Sequence, residues 1–184
     1  DEPLGALDKK LREEMQLELR ALQETVGITF IFVTHDQEEA LTLSDRVAVM
    51  ARGNVLQTAS PQNLYNRPVS VEVADFIGQM NFINAQVSEK EGDRVVLDAQ
   101  GLGRIETTTE ASFVEKGKPV VVAIRPEKLT LATEPATIGR QSVKGELKTS
   151  AYLGDRSHFY VTVNGCDSPI AVATHDIELA SGQS

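Results

Sequence analysis

The acidic balance of this chain limits the ligands that it can bind directly. Its 184 residues carry a formal net charge of −9 and contain no cluster of Lys and Arg, which argues against nucleic acid and anionic membranes, because both require a basic surface. A single Cys166 and three scattered His residues provide neither an internal disulfide nor a zinc-binding spacing, and this cysteine usage fits a reducing compartment such as the cytoplasm.

The first predicted element is an amphipathic helix that begins after Asp8 and ends before Gly27. Asp8 is expected to cap its first turn, and Gly27 is expected to end it in a left-handed conformation. The apolar residues recur at spacings of three and four, with charged residues between them, and they are Leu7, Leu11, Met15, Leu19, Leu22 and Val26.

Residues 28–33 form a continuous apolar run that is rich in β-branched and aromatic side chains. Such a run predicts a strand that is buried on both faces of a mostly parallel sheet. His35 follows it, and Asp36 with Glu39 three residues later predicts a helix with a capping box, whose free N–H groups open toward the strand end. A histidine at this position can donate a hydrogen bond to a phosphate, although a surface position in a loop is the simpler interpretation.

Short elements are predicted from there to Gly78. Residues 46–58 predict a β-hairpin that turns at residues 52–54. Two short helices follow, one starting at Pro61 with Ser60 as its cap and one over residues 71–77.

From Gln79 onward, helical spacing disappears and short β-rich segments alternate with Gly, Asp and Asn turns. This texture predicts a small all-β barrel. His158 lies in an alternating segment, on the face expected to point to solvent. The candidate strands are residues 82–87, 94–97, 104–106, 120–124, 143–151, 158–163 and 170–173.

The tripeptide Thr-His-Asp occurs twice, at residues 34–36 and 174–176. The first follows the apolar run and precedes a helix start. The second follows a short β segment near the end of the chain and has no acidic pair that could share a metal or a water. We therefore expect His175 to be a surface residue.

The chain opens with Asp1, Glu2 and Pro3 and continues through Leu-Gly-Ala-Leu to Asp8. These motifs, in the segments DEPLGALDKKLR and FIFVTHDQEEALTLSDRVAVM, resemble the ATP-binding subunit of ABC importers, most closely the spermidine and putrescine branch. The segments SPQNLYNRP and VADFIG continue this resemblance. VAIRPEKLTL and GELKTSAYLGDRSHFYVTV resemble the OB-like accessory domain of that branch, called TOBE.

The resemblance implies an α/β fold for residues 1–78, as the C-terminal part of a P-loop NTPase domain, and an all-β OB-like barrel, the TOBE domain, for residues 79–184. The chain would then be the C-terminal part of a longer protein. Asp1 would hold Mg²⁺, Glu2 would be the general base, His35 would contact the γ-phosphate of ATP, and Asp8 would face a partner subunit. The implied partners are a second ATPase subunit in a homodimer and transmembrane permease subunits, with no nucleic acid, at the inner face of the cell membrane.

Two motifs of this family are absent from the sequence. No glycine begins the phosphate-binding loop G-x-x-x-x-G-K-[ST], since Gly117-Lys118 is followed by Pro119, and no LSGGQ-type signature is present. We therefore expect the isolated chain to be inactive, although its parent would hydrolyse ATP. The alternatives are an importer ATPase for sugar, sulfate or iron, and, from another class, a self-sufficient β-barrel module that binds a ligand or a protein.

Overall fold

The computed structural model describes residues 8–109, 111–133 and 141–175. The chain divides between Gly78 and Gln79 into two compact units. In the described residues the first unit contains four helices and one β-hairpin, and the second contains seven strands and one 3₁₀ turn, Pro126–Lys128.

Helix α1, Lys9–Val26, begins and ends where the sequence predicts. The Asp8 carboxylate accepts a hydrogen bond from the backbone N–H of Leu11 at 3.0 Å and so satisfies one of the free donors of the first turn. At the other end Gly27 has a φ of 68°, and its N–H donates to the carbonyl of Gln23 at 2.9 Å. Both boundaries follow from local chemistry, since a carboxylate caps the start and a left-handed glycine ends the helix.

The predicted buried strand over residues 28–33 is wrong. These residues form no strand in the described part of the chain, and the exposed fractions of Ile28, Ile31 and Val33 are 53%, 89% and 64%. A strand that is buried on both faces requires hydrogen-bonded neighbours at its edges and a layer on each face. No described strand pairs with this segment, so the α/β sheet of a P-loop NTPase is not observed in the described residues.

One side of the same segment is nevertheless packed. The rings of Phe30 and Phe32 stack with their centroids 6.1 Å apart. Together with Leu19 and Leu43 they line a small cleft. The phenylalanines therefore lie next to the helices, although Phe30 is still 37% exposed, and the aliphatic residues of the segment are exposed further.

Helix α2, Gln37–Leu43, lies beside α1. Arg12, near the start of α1, contacts Asp36 at the start of α2 with an Nη1–Oδ2 distance of 3.4 Å. Arg20, two turns later in α1, donates to the carbonyl of Leu43 at 3.1 Å and to the carboxylate of Asp45 at 2.7 Å. The two arginines therefore hold both ends of α2.

The rest of the first unit surrounds a small apolar core. Strands β1, Val47–Ala51, and β2, Asn54–Ala59, form the predicted antiparallel hairpin, and helices α3, Pro61–Asn66, and α4, Val71–Phe76, follow. The hydroxyls of Ser60 and Ser70 cap these helices. The buried core residues are Val47, Val49, Leu64, Val73 and Ile77.

The second unit is all-β, as predicted. Its strands form two antiparallel sheets, one in the order β5-β4-β3-β6 and one in the order β7-β8-β9. The bounds are β3 Asn81–Glu91, β4 Arg94–Ala99, β5 Gly103–Thr108, β6 Pro119–Ile124, β7 Gly145–Tyr152, β8 Ser157–Val163 and β9 Ile170–Thr174. All seven predicted strands are present, while closure of the strands into a barrel stays a prediction.

Both sheets contribute to one apolar core in this unit. The buried residues of the first sheet include Ile83, Val87 and Val95, and Val163 and Ile170 of the second sheet belong to the same cluster. Burial of these side chains is the main term that favours folding, because each removes apolar surface from water. The alternation of apolar and polar residues in β3 therefore turns one face of that strand toward the second sheet.

The alternating sequence pattern predicts that His158 points to solvent, but the side chain is partly buried. The residue is half-buried, and its Nε2 atom is buried without a hydrogen-bond partner in the described residues. His158 lies on β8, which is the central strand of its sheet and pairs with both β7 and β9. Tyr160, on the same face, is half-buried as well.

Candidate functional site

Two of the four predicted site residues can be placed. Asp1 and Glu2, predicted for the metal and the general base, lie outside the described residues. Asp8 is exposed and caps α1. His35 is exposed and lies between residues 28–33 and the start of α2. The described part of the candidate site is therefore the turn at Thr34, His35 and Asp36.

The Thr34 side chain organises this turn. Its hydroxyl donates to the Oε2 atom of Glu39 at 2.8 Å, and its Oγ1 atom accepts from the backbone N–H of Asp36 at 3.0 Å. One hydroxyl therefore acts both as donor and as acceptor. The two hydrogen bonds connect the residues on both sides of His35 to the first turn of α2.

Asp36 caps α2 and also contacts α1. Its Oδ1 atom accepts from the N–H groups of Glu38 at 2.8 Å and of Glu39 at 3.3 Å, and its Oδ2 atom lies 3.4 Å from Arg12 Nη1. The predicted helix start is confirmed. The expectation that the N–H groups of this helix end are free for a ligand is wrong for those of Glu38 and Glu39, because the Asp36 carboxylate accepts from both.

The capping box is present in a longer form than the sequence suggests. In a simple capping box the glutamate at the third helical position would accept directly from the N–H of Asp36. Here the Thr34 hydroxyl lies between the two groups, since it binds Glu39 on one side and the Asp36 N–H on the other. A threonine two residues before a capping aspartate is the signal that the sequence offered for this arrangement.

Gln37 and Arg12 are contacts that the sequence analysis missed. The side-chain oxygen of Gln37 accepts from the backbone N–H of Gly78. Arg12 was one of several charged residues on an amphipathic helix, and it turned out to be the one beside Asp36. Neither contact has a local sequence signal, because the partners are 41 and 24 residues apart.

The second Thr-His-Asp tripeptide has a different setting. His175 follows β9, is exposed, and has its Nδ1 atom 3.0 Å from the carbonyl oxygen of Asp155. Asp176 lies outside the described residues. The expectation that His175 is a surface residue is confirmed.

No group of three or more His, Cys, Asp and Glu side chains within residues 8–109, 111–133 and 141–175 is arranged to hold a metal ion. None of the helices in those ranges combines the length and the apolar composition that a membrane span requires. What the turn provides chemically is one exposed imidazole on a backbone that hydrogen bonds fix on both sides.

Comparisons with known proteins identify close relatives. The family model described as the TOBE domain matches residues 122–184. The spermidine/putrescine import ATP-binding protein PotA of Rubrobacter xylanophilus is 46% identical over 182 residues, which is 98% of this chain and 47% of that protein. PotA of Ruegeria pomeroyi is 48% identical over 89% of this chain and 43% of its own length, and the putrescine transport ATP-binding protein PotG of Escherichia coli is 45% identical over 88% and 43%.

These relatives bear on the resemblance drawn from the sequence. The chain spans less than half the length of each of the three proteins. The resemblance to ATP-binding subunits of importers of the spermidine and putrescine type, with a TOBE domain, is confirmed by their names and by the family match.

Proposed function

We propose that this chain forms part of the ATP-hydrolysing subunit of an ABC importer that takes up polyamines such as spermidine and putrescine. The observation that carries the proposal is the 46% identity to a spermidine/putrescine import ATP-binding protein over 98% of the chain. The similarity extends through both compact units, and not only through the TOBE match at residues 122–184. ATP hydrolysis would drive transport.

The site residues have separate roles in this proposal. Asp1 would hold Mg²⁺, since carboxylate oxygens are ligands that this ion prefers, and the bound ion would neutralise negative charge on the phosphates. Glu2 would orient or deprotonate the attacking water. His35 would donate a hydrogen bond to the γ-phosphate, where charge develops during phosphoryl transfer. An exposed imidazole on the hydrogen-bonded turn at residues 34–36 suits that role.

The partners follow from the same proposal. A second copy of the subunit would complete the site, with Asp8 at the face between the two, and transmembrane permease subunits would carry the solute. The subunit would act in the cytoplasm, peripherally on the inner face of the membrane. The 184-residue chain by itself would be inactive, because it contains no phosphate-binding loop.

A second candidate is an autonomous β module that binds a ligand or a protein without an ATPase role. It is favoured by one observation, that residues 79–184 form a compact unit with its own apolar core. The two candidates differ in nucleotide binding. An intact protein that contains this chain binds Mg²⁺-ATP under the first proposal and does not need to under the second.

Uptake by the reconstituted transporter tests the proposed function. The intact protein, assembled with its permease and solute-binding subunits in vesicles that enclose ATP, should import labelled spermidine or putrescine, and excess unlabelled polyamine should compete. Sugars, sulfate and iron serve as controls, because importers of these solutes are the alternatives within the family. Import of one of the control solutes without import of polyamine would assign the subunit to that other branch, and absence of ATP hydrolysis would reject the ATPase role.

A further inference from the structure

Glu39 occupies a position in α2 where an apolar side chain would be buried at a lower free-energy cost. It is only 5% exposed, and it lies one turn before Leu43, which is also 5% exposed, on the buried face of the helix. Removal of a carboxylate from water is costly unless specific partners compensate for it. A buried glutamate at this position therefore calls for a reason other than packing.

The partner of this carboxylate is Thr34, and through Thr34 it reaches the backbone beside His35. Glu39 Oε2 accepts from the Thr34 hydroxyl at 2.8 Å, and Thr34 Oγ1 accepts from the Asp36 N–H at 3.0 Å. The donor hydrogen of Thr34 is engaged by Glu39, so the Thr34 oxygen is left to accept from Asp36. Glu39 thus holds the Thr34 hydroxyl in the orientation in which its oxygen faces the Asp36 N–H.

We propose that Glu39 is a positioning residue for His35, acting through the Thr34 hydroxyl. This inference rests on the proposed function, in which the His35 imidazole must meet a γ-phosphate. Hydrogen bonds on both sides of His35 restrict the backbone from which its side chain extends. Such restriction is valuable, because a misplacement of about 1 Å in a reacting group can cost about 10²-fold in rate.

The chain offers conservative and matched control variants. Glu39→Gln keeps an oxygen that accepts from the Thr34 hydroxyl, and Thr34→Ser keeps the hydroxyl itself. Glu39→Ala and Thr34→Val each remove the hydrogen bond. Glu38→Ala is the matched control, because Glu38 is an exposed glutamate at the adjacent position of the same helix.

The first measurement is backbone ¹⁵N relaxation of the 184-residue chain. The order parameter of the His35 amide is expected near 0.85 in the starting protein, in Glu39→Gln, in Thr34→Ser and in Glu38→Ala, and below about 0.6 in Glu39→Ala and Thr34→Val. An unchanged His35 order parameter in both Glu39→Ala and Thr34→Val would overturn the proposal. Because the threonine pair perturbs the same hydrogen bond from its other end, a misfolded Glu39→Ala protein would not remove the test.

The second measurement is steady-state ATP hydrolysis by the intact protein. Glu39→Ala and Thr34→Val should lower kcat by about 10- to 100-fold with KM for ATP changed less than about threefold, and Glu39→Gln should restore kcat. If His35→Ala does not affect hydrolysis, the proposed role of His35 fails while the relaxation result still decides the positioning. If His35→Ala lowers kcat and neither Glu39→Ala nor Thr34→Val does, Glu39 is not a positioning residue.

Discussion

The side chain of Asn81 forms both hydrogen bonds of a strand rung with the backbone of Ala171. Its Oδ1 atom accepts from the Ala171 N–H at 2.7 Å, and its Nδ2 atom donates to the Ala171 carbonyl at 2.8 Å. Both residues are buried, at 6% and 3% exposure. Since Asn81 begins β3 and Ala171 lies in β9, one amide side chain joins the two sheets of the second unit through buried polar groups.

Asn81→Ala should therefore destabilise the second unit strongly. Each buried backbone group that loses its partner costs about 1–3 kcal/mol, and here an N–H and a carbonyl lose theirs together. Asn84→Ala is the matched control in the same strand, because Asn84 is exposed and its hydrogen bond to Asp167 is longer, at 3.3 Å. Urea unfolding would measure both variants. Equal stability of Asn81→Ala and Asn84→Ala would contradict the importance of the rung.

Gly101→Ala should destabilise the same unit by a different mechanism. Gly101 has a φ of 74°, and a Cβ atom there would lie 2.5 Å from Cys166 Sγ and 2.8 Å from the Cys166 backbone nitrogen. Gly92→Ala separates the two effects, since Gly92 has a φ of 60° and nothing within 4 Å of the added atom. We expect Gly92→Ala to lower the free energy of unfolding by about 1–2 kcal/mol, from the left-handed conformation alone. In the same experiment Gly101→Ala should lower the free energy of unfolding by more than Gly92→Ala does. An equal loss in the two variants would show that the turn at Gly101 relaxes to accommodate the added Cβ atom.

The carboxyl group of Glu106 should titrate below its ordinary pH. Arg94 donates to it twice, with Nε–Oε1 at 2.6 Å and Nη2–Oε2 at 2.9 Å, and this hydrogen bonding, followed by charge attraction, lowers the pKa of Glu106. A pKa that folding lowers contributes stability above the unfolded value of about 4.3, and this stability is lost as the pH falls through the folded pKa.

Carbon-detected NMR titration of the Glu106 carboxyl would measure this effect. Its midpoint should lie below about 4.3, and Arg94→Gln should return it toward that value. The shift should also shrink at an ionic strength of about 1 M, because the pair is exposed and salt screens exposed charges. A midpoint that Arg94→Gln leaves unchanged would mean that the pair does not persist in solution.

The local signals in the sequence predicted most of the elements. Asp8 and Gly27 bound α1 because capping depends on a few adjacent residues, and the strands of the second unit follow from short alternating segments between turns. Residues 28–33 were predicted incorrectly for the opposite reason. A strand exists only where another strand pairs with it, and the composition of one apolar segment does not contain that information.

The contacts of the candidate site were less accessible to sequence reasoning. The helix start at Asp36 was predicted, but the insertion of the Thr34 hydroxyl between Asp36 and Glu39 depends on the backbone path through His35. The hydrogen bonds between Asn81 and Ala171 join residues that are 90 positions apart, so no local pattern predicts them. Polar contacts between residues that are far apart in the sequence are therefore the part of the fold that local sequence patterns do not predict.

Asp8 allows its two proposed roles to be separated. As a helix cap it accepts from the Leu11 N–H at 3.0 Å, and asparagine caps helices about as well as aspartate. Asp8→Asn should therefore leave the stability of the chain within about 0.5 kcal/mol, whereas Asp8→Ala should lose about 0.5–2 kcal/mol. If Asp8 also faces a partner subunit, Asp8→Asn should lower ATP hydrolysis by the intact protein without loss of stability. Full activity of Asp8→Asn would leave capping as its role.

The two carboxylates of the proposed catalytic site should respond differently to substitution. In the intact protein, Glu2→Gln should keep Mg²⁺-ATP binding and lose turnover by about 10²–10⁴-fold, because the amide retains the shape of the side chain but is not a base. Asp1→Asn should raise the Mg²⁺ concentration that activity requires.

The two Thr-His-Asp tripeptides provide an internal control for the proposed catalytic site. His35→Ala should lower kcat by about 10²–10³-fold, by analogy with the loss of a hydrogen-bond donor to a developing oxyanion. His175→Ala should change kcat by less than about threefold, because His175 is an exposed residue beside the Asp155 carbonyl, at 3.0 Å, in the β unit. Steady-state ATPase assays and nucleotide-binding titrations of the same preparations would separate lost chemistry from lost binding. If His175→Ala abolished hydrolysis and His35→Ala did not, the site would not lie at the turn before α2, and the role assigned to His35 would have to be abandoned.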